Sequence, residues 1–274
     1  APIRPAILWN DGRSFEECRD LQKSTPAFVS KGGNLVMPGF TAPKLEWVRR
    51  HEPGAFEKVH KVLLPKDYVR LRMTGDLASD MSDSSGTLWM DVEARTWSEE
   101  LLAACGLTID HMPKLYEGHE VTGVLRQEAA EAWGMDRVPV VAGGGDNAAG
   151  AAGVGVIDEG EALLSLGTSG VIFVAGNTFR SNPDSAAHAF CHALPDRWHL
   201  MSVILSAASC LDWAVKLTGQ SDAGELVKLA QTEAGLAGSE QFLPYLSGER
   251  TPHNNPHASG VLFGLTHDSG SAQI

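Results

Sequence analysis

The sequence predicts an α/β protein with two domains, and three observations support this prediction. Its 274 residues are enough for one large domain or for two of ordinary size. Short apolar runs that suit strands are interspersed with segments that have helical spacing. The composition also changes near residue 136, where a stretch rich in glycine and alanine begins. We therefore expect a first domain over residues 1–136 and a second domain over residues 137–274.

The first half is predicted to mix strands and helices. Ala6–Trp9 and Val59–Leu64 are apolar runs that suit buried strands. Ala42–His51 and Asp67–Met73 have the pattern of helices. Ser98–Ala104 is a predicted helix with Ser98 as its N-cap, because a serine hydroxyl can accept a hydrogen bond from the first turn.

The second half begins with a predicted strand, Val138–Ala142, that runs into three glycines. A helix of small residues is expected to follow over Asp146–Ala152. Glu161–Leu166 and Val171–Ala175 are predicted strands joined by Gly-Thr-Ser-Gly, which indicates a β-hairpin. Ser202–Thr218 has the apolar spacing of a long helix.

The charge of the chain limits the classes of ligand that we expect. Lys and Arg total 22 against 34 Asp and Glu, a formal net charge of −12. A protein that binds the phosphate backbone of nucleic acid needs a basic face, so nucleic acid is not an expected partner. A nucleotide is still allowed, because backbone amides can hold phosphate without net positive charge.

The cysteines and the absence of apolar segments indicate a cytoplasmic protein. Cys18, Cys105, Cys191 and Cys210 form neither a CxxC pair nor a zinc-type spacing with histidine, and no metal-ligating residue is predicted. No apolar run reaches the roughly 18–20 residues that a membrane span requires. The N-terminus lacks the basic start and apolar stretch of a signal peptide.

Gly143-Gly144-Gly145-Asp146-Asn147 is the strongest local candidate for a catalytic site. A strand that ends in three glycines can present the next side chain in open space above the sheet. Asp146 could there accept a proton from a substrate hydroxyl as a general base. The alternative is that Asp146 caps the helix that follows. The residues alone leave both interpretations open.

The tip of the predicted hairpin, Gly167-Thr168-Ser169-Gly170, is a weaker candidate. Glycines let a backbone approach a phosphate closely, and the amides and hydroxyls of such a tip can surround its oxygens. A tight hairpin needs the same glycines for its turn geometry alone, and this is the more frequent explanation of such a string.

Two further segments have a functional and a structural interpretation. Trp9, Asp11 and Arg13 place an aromatic ring, an acid and a base close together, which suits either a sugar platform or a turn with a surface ion pair. The polar stretch Leu243–Pro256 is too long for a simple connection, and such loops often lie over active sites.

Two strings in the sequence resemble the signatures of the FGGY family of carbohydrate kinases. GFTAPKLEWVRRH at residues 39–51 is similar to the first signature, and GVLFGL at 260–265 is similar to the opening of the second. Other strings resemble the family members that phosphorylate D-xylulose; they lie at residues 8–13, 34–44, 79–91, 141–155 and 242–256.

The resemblance implies an actin-like, ribonuclease H-like fold of two domains with the active site in the cleft between them. Residues 1–136 would be the C-terminal part of the first, sugar-binding domain. Residues 137–274 would be the N-terminal part of the second, nucleotide-binding domain. The first phosphate loop and the adenosine-binding segment would lie outside this chain, so the chain by itself is expected to be a very poor kinase.

The resemblance also implies roles for the candidate residues. Asp146 corresponds to the catalytic base that takes the proton from the C5 hydroxyl of D-xylulose, and Asn147 beside it is expected to contact the sugar. Trp9, Asp11 and Arg13 are also assigned to the sugar.

Gly167, Thr168 and Ser169 correspond to the phosphate loop that holds the β- and γ-phosphates of ATP, with Mg²⁺ between those phosphates. The expected partners are the sugar and ATP, and self-association into a homodimer is compatible with the unpaired sheet edges expected. Two alternatives are open: a kinase of another sugar or polyol, such as ribulose, gluconate or glycerol, and a non-catalytic fragment with only residual ligand binding.

Overall fold

The structure of the chain is a computed structural model that describes residues 1–232, 236 and 238–274. The α-helices within these residues are α1 (Phe15–Ser24), α2 (Ala27–Ser30), α3 (Thr41–His51), α4 (Pro53–Phe56), α5 (Pro65–Thr74), α6 (Met81–Ser85), α7 (Glu99–Ala104), α8 (Gln127–Trp133), α9 (Asp146–Gly153), α10 (Ala208–Thr218) and α11 (Ala223–Ala230). The β-strands are β1 (Ala78–Asp80), β2 (Met90–Asp91), β3 (Thr96–Trp97), β4 (Lys114–Tyr116), β5 (Val121–Val124), β6 (Pro139–Val141), β7 (Ala162–Leu166), β8 (Gly170–Gly176), β9 (His188–Cys191), β10 (Trp198–Ile204), β11 (Gln241–Leu243) and β12 (Val261–Phe263).

The strands form one larger sheet and several short ladders. The larger sheet has the strand order β7-β8-β10-β9. β1 and β4 pair in parallel, with Asp80 opposite Tyr116. β2 with β3, β5 with β6 and β11 with β12 pair antiparallel. Asp80 therefore stands at the carboxyl end of a parallel strand, which is the end where α/β proteins usually place their ligands.

The chain divides into two compact units. The first consists of Ala1–Ala162, Phe173–Pro183 and His188–Leu200, and the second of Leu163–Ile172, Asp184–Ala187 and Met201–Ile274. The first unit thus includes the glycine run and α9. The sequence assigns these to the second domain of the sugar-kinase fold, and that boundary near residue 136 stays a prediction.

The predicted helices of the first half are confirmed. α3 covers its predicted segment and begins one residue earlier, and α5 covers its predicted segment with two further residues at the start and one at the end. Ser98 is the N-cap of α7, and its hydroxyl accepts a hydrogen bond from the amide of Leu101 at 3.4 Å. These helices were predictable because capping and helical spacing are local properties.

The two predicted strands of the first half, Ala6–Trp9 and Val59–Leu64, are wrong. Neither segment is a strand, and the side chain of Trp9 is exposed. In the second segment the amide of Val62 donates a hydrogen bond to the carbonyl of His111, but this bond does not belong to a β-ladder. A short apolar run becomes a strand only where a second backbone runs alongside it, and the sequence does not show whether one does.

The second half follows the prediction except at one helix. β6, α9 and the hairpin of β7 and β8 are confirmed. The predicted helix over Ser202–Thr218 is wrong in its first part, because Ser202–Ile204 completes β10 and α10 begins only at Ala208. Along β10 buried and partly exposed residues alternate with the period of a strand, with Met201 and Val203 inside.

Three buried histidines form part of the core of the first unit. His188, His192 and His199 pack with phenylalanines, and the rings of His199 and Phe173 stack with centroids 4.0 Å apart. Burial, together with a smaller contribution from the two neighbouring histidines, lowers the pKa of His199 to about 3. The core therefore holds this ring in its neutral form.

Replacing His199 with phenylalanine is expected to reduce the acid sensitivity of the fold. The folded-state pKa of His199 lies below its ordinary value of 6.5, so the stabilisation is complete above pH 6.5 and is lost as the pH falls towards 3. Between pH 7 and pH 5, the free energy of unfolding should fall by about 1–2 kcal/mol less in His199→Phe than in the wild type, measured by urea unfolding. His257→Phe, at an exposed position, should follow the wild type. An identical pH dependence in all three proteins would contradict the prediction.

Candidate active site

Asp146 is the first residue of α9 and follows the glycine run Gly143–Gly145 directly. Its residue is exposed, and its Oδ1 accepts hydrogen bonds from the amide and the side-chain nitrogen of Asn147 at 2.8 and 3.1 Å. The N-cap of α9 is Gly145 and not Asp146. Asp146 therefore does not occupy the capping position, and its carboxylate is accessible to a ligand.

Within the glycine run, Gly144 is packed closely against its neighbours. A Cβ atom on Gly144 would stand 3.1 Å from the Cβ of Ala193 and 3.3 Å from the Oγ of Ser82. Gly143 has a φ of +83°, a conformation that favours glycine. The glycines thus let the chain that leads to Asp146 lie directly on the start of α6.

A chain of hydrogen bonds links the glycine run to a buried carboxylate. The amide of Gly145 donates to the Oγ of Ser82 at 2.9 Å, and this hydroxyl donates to Oδ2 of Asp80 at 2.5 Å. The same Oδ2 accepts from the amides of Ser82 and Asp83 at 2.8 and 3.1 Å, which makes Asp80 the N-cap of α6. Asp80 is completely buried.

The ammonium group of Lys66 balances the carboxylates in this region. Its Nζ lies 2.6 Å from Oδ1 of Asp67, 2.8 Å from Oδ1 of Asp80 and 3.9 Å from Oδ2 of Asp83. Burial opposes the charge of Lys66, but the two nearer carboxylates outweigh burial and raise its pKa. Asp67 also accepts from Ser79 and pairs with Arg70.

Asp83 adjoins this cluster and has a raised pKa. Its pKa is raised to about 7, chiefly by burial; Lys66 opposes this rise, and the charges of Asp80, Asp67 and Asp146 add to it. The charge of Asp146 therefore reaches Asp83, although the two residues are far apart in the sequence.

Sequence reasoning missed Lys66, Asp80, Ser82 and Asp83 as site residues. Asp80, Ser82 and Asp83 lie in the string at residues 79–91, which resembles the family but indicates no role for these side chains. A signal was present, since Asp80-x-Ser82 at the end of a strand is an N-capping pattern. No sequence pattern, however, indicates that this cap lies under the glycine run.

A second group of predicted site residues lies elsewhere in the first unit. Arg13 holds Asp11 with hydrogen bonds of 2.7 to 3.0 Å and stands over the ring of Trp47 at 4.9 Å. The hydrogen bonds from Arg13 lower the pKa of Asp11 to about 2. Trp9 is exposed, and its carbonyl lies 3.4 Å from where a Cβ of Gly39 would stand. Asp11 and Arg13 therefore form the surface ion pair that one of the two interpretations predicts. The exposed ring of Trp9 is accessible to a ligand.

The third group is the hairpin tip Gly167–Ser169 in the second unit, whose residues are all exposed. The carbonyl of Thr168 accepts from the amide of Ala207 and from the hydroxyl of Ser209, both at 2.9 Å. A Cβ on Gly170 would stand 2.7 Å from Ile204, whereas a Cβ on Gly167 would make only an ordinary van der Waals contact, 3.7 Å from the carbonyl oxygen of Ser169. Packing therefore explains Gly170, and it does not explain why residue 167 is a glycine.

The long polar segment after β11 is anchored within the second unit. Glu249 is buried and accepts from the amides of Leu205 and Arg250 at 3.2 and 2.7 Å. The hydroxyl of Thr251 accepts from the amide of Val203 at 3.1 Å. The segment thus follows the end of β10 as an ordered loop.

Among residues 1–232, 236 and 238–274, no group of three or more His, Cys, Asp and Glu side chains could hold a metal ion. Within the same residues, no helix combines the length and the apolar character that a membrane span requires.

Comparison with solved structures identifies the class of fold. A crystal structure described as a xyloylose kinase from Brucella ovis matches with a TM-score of 0.93 and 52% identity, over 99% of this chain and 56% of that one. A gluconate kinase from Lactobacillus acidophilus matches with a TM-score of 0.90 and 25% identity, over 97% of this chain and 55% of that one. The predicted two-domain sugar-kinase fold, actin-like and ribonuclease H-like, is confirmed.

Comparison with sequence families gives the particular family. The N-terminal domain of the FGGY family of carbohydrate kinases matches residues 1–153, and its C-terminal domain matches residues 162–274. The chain belongs to the FGGY family of carbohydrate kinases. A xylulose kinase of Escherichia coli (strain K12) is 63% identical over 272 residues, which are 99% of this chain and 56% of that relative. The chain thus spans about half the length of the relatives it matches.

Replacing Lys66 with methionine is expected to destabilise the protein strongly. The change leaves the buried carboxylates of Asp67 and Asp80 without their shared cation, and breaking a buried ion pair from one side costs about 3–5 kcal/mol. The free energy of unfolding, measured with guanidinium chloride, should fall by about this amount. Lys58→Met, at an exposed position, should change it by less than about 0.5 kcal/mol. Equal stability of the two variants would refute the role given to Lys66.

Proposed function

We propose that this chain supplies the catalytic base and one phosphate-binding loop of an ATP-dependent kinase that converts D-xylulose to D-xylulose 5-phosphate. The observation that carries the proposal is the exposed carboxylate of Asp146 at the end of the glycine run. It is accessible, it does not occupy the capping position of its helix, and it stands at the start of α9 in a chain of the FGGY family.

Asp146 is proposed to act as the general base. It accepts the proton of the C5 hydroxyl of the sugar while that oxygen forms a bond to the γ-phosphorus of ATP. The bond between this phosphorus and the oxygen that bridges it to the β-phosphate breaks, and ADP leaves. Phosphoryl transfer needs little covalent help from a protein, so the task of the residues is to position the hydroxyl and to balance charge.

The hairpin tip is proposed to hold the β- and γ-phosphates. Gly167, Thr168 and Ser169 are exposed, and the lack of a side chain at Gly167 lets a phosphate approach the backbone closely. The carbonyl of Thr168 is engaged by residues at the start of α10, so it does not point at a ligand. When bound, ATP supplies the phosphoryl group. We propose Mg²⁺ as its accompanying cation, since this ion is usually held by substrate phosphates and few protein ligands.

The sugar is proposed to contact Asn147 and the group formed by Trp9, Asp11 and Arg13. Asn147 is next to the base and is held by its carboxylate. The exposed ring of Trp9 offers the flat apolar surface on which sugars commonly stack, and the pair of Asp11 and Arg13 offers charged hydrogen-bonding groups beside it.

We propose D-xylulose as the substrate because similar curated relatives are named xylulose kinases. The xylulose kinases of Escherichia coli and Klebsiella pneumoniae are each 63% identical to this chain. The gluconate kinase has the same fold at 25% identity, so the fold by itself does not select the sugar. A cytoplasmic location is proposed from the free cysteines, three of which are buried. The homodimer stays a prediction.

Replacing Asp146 with asparagine is expected to lower kcat by about 100- to 10,000-fold, because a general base contributes this much. The measurement is a coupled assay of ADP release by the full-length protein, with D-xylulose, ribulose, gluconate and glycerol compared side by side. Asp136→Asn, an exposed aspartate in the connection between α8 and β6, should leave kcat unchanged. A preference for another of the four substrates would replace D-xylulose, and an active Asp146→Asn would exclude this residue as the base.

Replacing Thr168 with alanine is expected to raise the KM for ATP by about tenfold, because a hydrogen bond to a charged phosphate is lost. The KM for D-xylulose should stay within about twofold of the wild type, since the sugar is assigned to other residues. Ser165→Ala, an exposed serine in β7 of the same hairpin, is the matched control. An equal rise in both KM values would argue against a phosphate-specific role for the tip.

A further inference from the structure

The direction in which Asp146 leaves the glycine run depends on a short chain of hydrogen bonds. Gly145 precedes Asp146 and has no side chain with which to anchor itself. Its amide donates a hydrogen bond of 2.9 Å to the Oγ of Ser82, which lies 63 residues earlier in the sequence. This hydrogen bond ties the residue before Asp146 to a separate, ordered element of the first unit.

The hydroxyl of Ser82 has a defined donor direction. It donates to Oδ2 of Asp80 at 2.5 Å, and an ionised carboxylate can only accept. The proton of the hydroxyl therefore points at Asp80, and a lone pair is left for the amide of Gly145. A hydroxyl without such a neighbour would rotate freely and would hold the amide less firmly.

Asp80 is itself held from several sides. Its Oδ1 lies 2.8 Å from the Nζ of Lys66, and its Oδ2 caps α6 through the amides of Ser82 and Asp83. The residue is completely buried, so water does not compete for these contacts. The ion cluster thus supports Ser82 rigidly.

The glycine run needs such an anchor. Glycine has the widest choice of backbone conformations of any residue, and three successive glycines would otherwise let Asp146 adopt many directions. Gly144 also lies against Ser82, since a Cβ atom on it would be 3.3 Å from the serine Oγ. Ser82 therefore contacts the run at two successive residues.

We propose that Ser82 is a positioning residue for phosphoryl transfer: its hydroxyl, oriented by Asp80, holds the amide of Gly145 and thereby aims the carboxylate of Asp146 at the substrate hydroxyl. This inference rests on the proposed function, because it assigns to Ser82 a role that acts through the base. Ser82 itself touches neither the sugar nor the nucleotide in this scheme.

The pKa of Asp83 is consistent with this geometry. Asp83 follows Ser82 directly, and Gly145 packs on it, since a Cβ there would stand 3.5 Å from the Asp83 Cα. Asp83 faces Lys66, Asp67, Asp80 and Asp146, and the charge of Asp146 contributes to raising its pKa. The start of α6 and the start of α9 therefore lie within electrostatic reach of each other.

The test compares three serine variants of the full-length protein. Ser82→Ala removes the hydroxyl, Ser82→Thr retains it, and Ser84→Ala removes a different buried hydroxyl of α6 that bonds to Ser79 instead. We expect kcat to fall about 10- to 100-fold in Ser82→Ala, since a small misplacement of a catalytic group has an effect of this size. The KM for ATP should stay within about twofold. Ser82→Thr and Ser84→Ala should stay near the wild-type kcat.

A second measurement does not depend on activity. Hydrogen exchange at the amide of Gly145, resolved with isotopically labelled glycine, should be about five- to tenfold faster in Ser82→Ala than in the wild type and in Ser84→Ala, because one hydrogen bond is lost. A merely structural role of Ser82 would instead accelerate exchange throughout the first unit.

The two measurements separate the possible failures. If the wild type phosphorylates none of the sugars but Gly145 exchanges faster only in Ser82→Ala, the proposed function fails and the anchoring of Gly145 stands. If the wild type is active and Ser82→Ala keeps both its kcat and its Gly145 protection, the positioning role is overturned. Equal loss of kcat in Ser82→Ala and Ser82→Thr would also overturn it, because the hydroxyl would then not be the group that matters.

Discussion

The ion cluster around Lys66 joins the start of α5 to the end of β1 and the start of α6. Its ammonium group, at the start of α5, meets the buried carboxylates of Asp67 and Asp80. Removing such charges from water costs several kcal/mol for each ion, so a buried cluster persists only where further hydrogen bonds satisfy it. Here Asp67 also binds Ser79 and Arg70, and Asp80 caps α6. The surrounding chain is therefore constrained to keep these partners in place.

The two candidate ligand-binding elements are held in different ways. The glycine run before Asp146 is attached through the Ser82 hydroxyl to a charged, buried centre. The hairpin tip around Thr168 is attached through its own carbonyls to the start of α10, and no ion pair is involved among the described residues. A base that must be aimed at one atom needs the stiffer support, whereas a loop that surrounds phosphate oxygens can rely on backbone and hydroxyl groups.

Local patterns predicted five of the eleven described α-helices, with the start of α10 misplaced, and the hairpin of β7 and β8. The cap at Ser98 and the spacing of α3 were visible because both depend on residues within one or two turns. The strands expected at Ala6–Trp9 and Val59–Leu64 failed because a strand exists only through its partner. The predicted start of the helix at Ser202 was wrong for the same reason. β10 continues through Ile204 because it pairs with neighbouring strands of the larger sheet.

The sequence by itself determined the fold family, the glycine run and the candidate base Asp146, since each is encoded in a continuous string. It left open whether Asp146 caps its helix, and the structure places Gly145 at that position. Only the tertiary structure decided that Ser82 lies beneath Gly145 and that Lys66 neutralises Asp80. The physical reason is that hydrogen bonds and ion pairs between distant residues depend on how the elements pack, and this packing leaves no periodic or local signal in the chain.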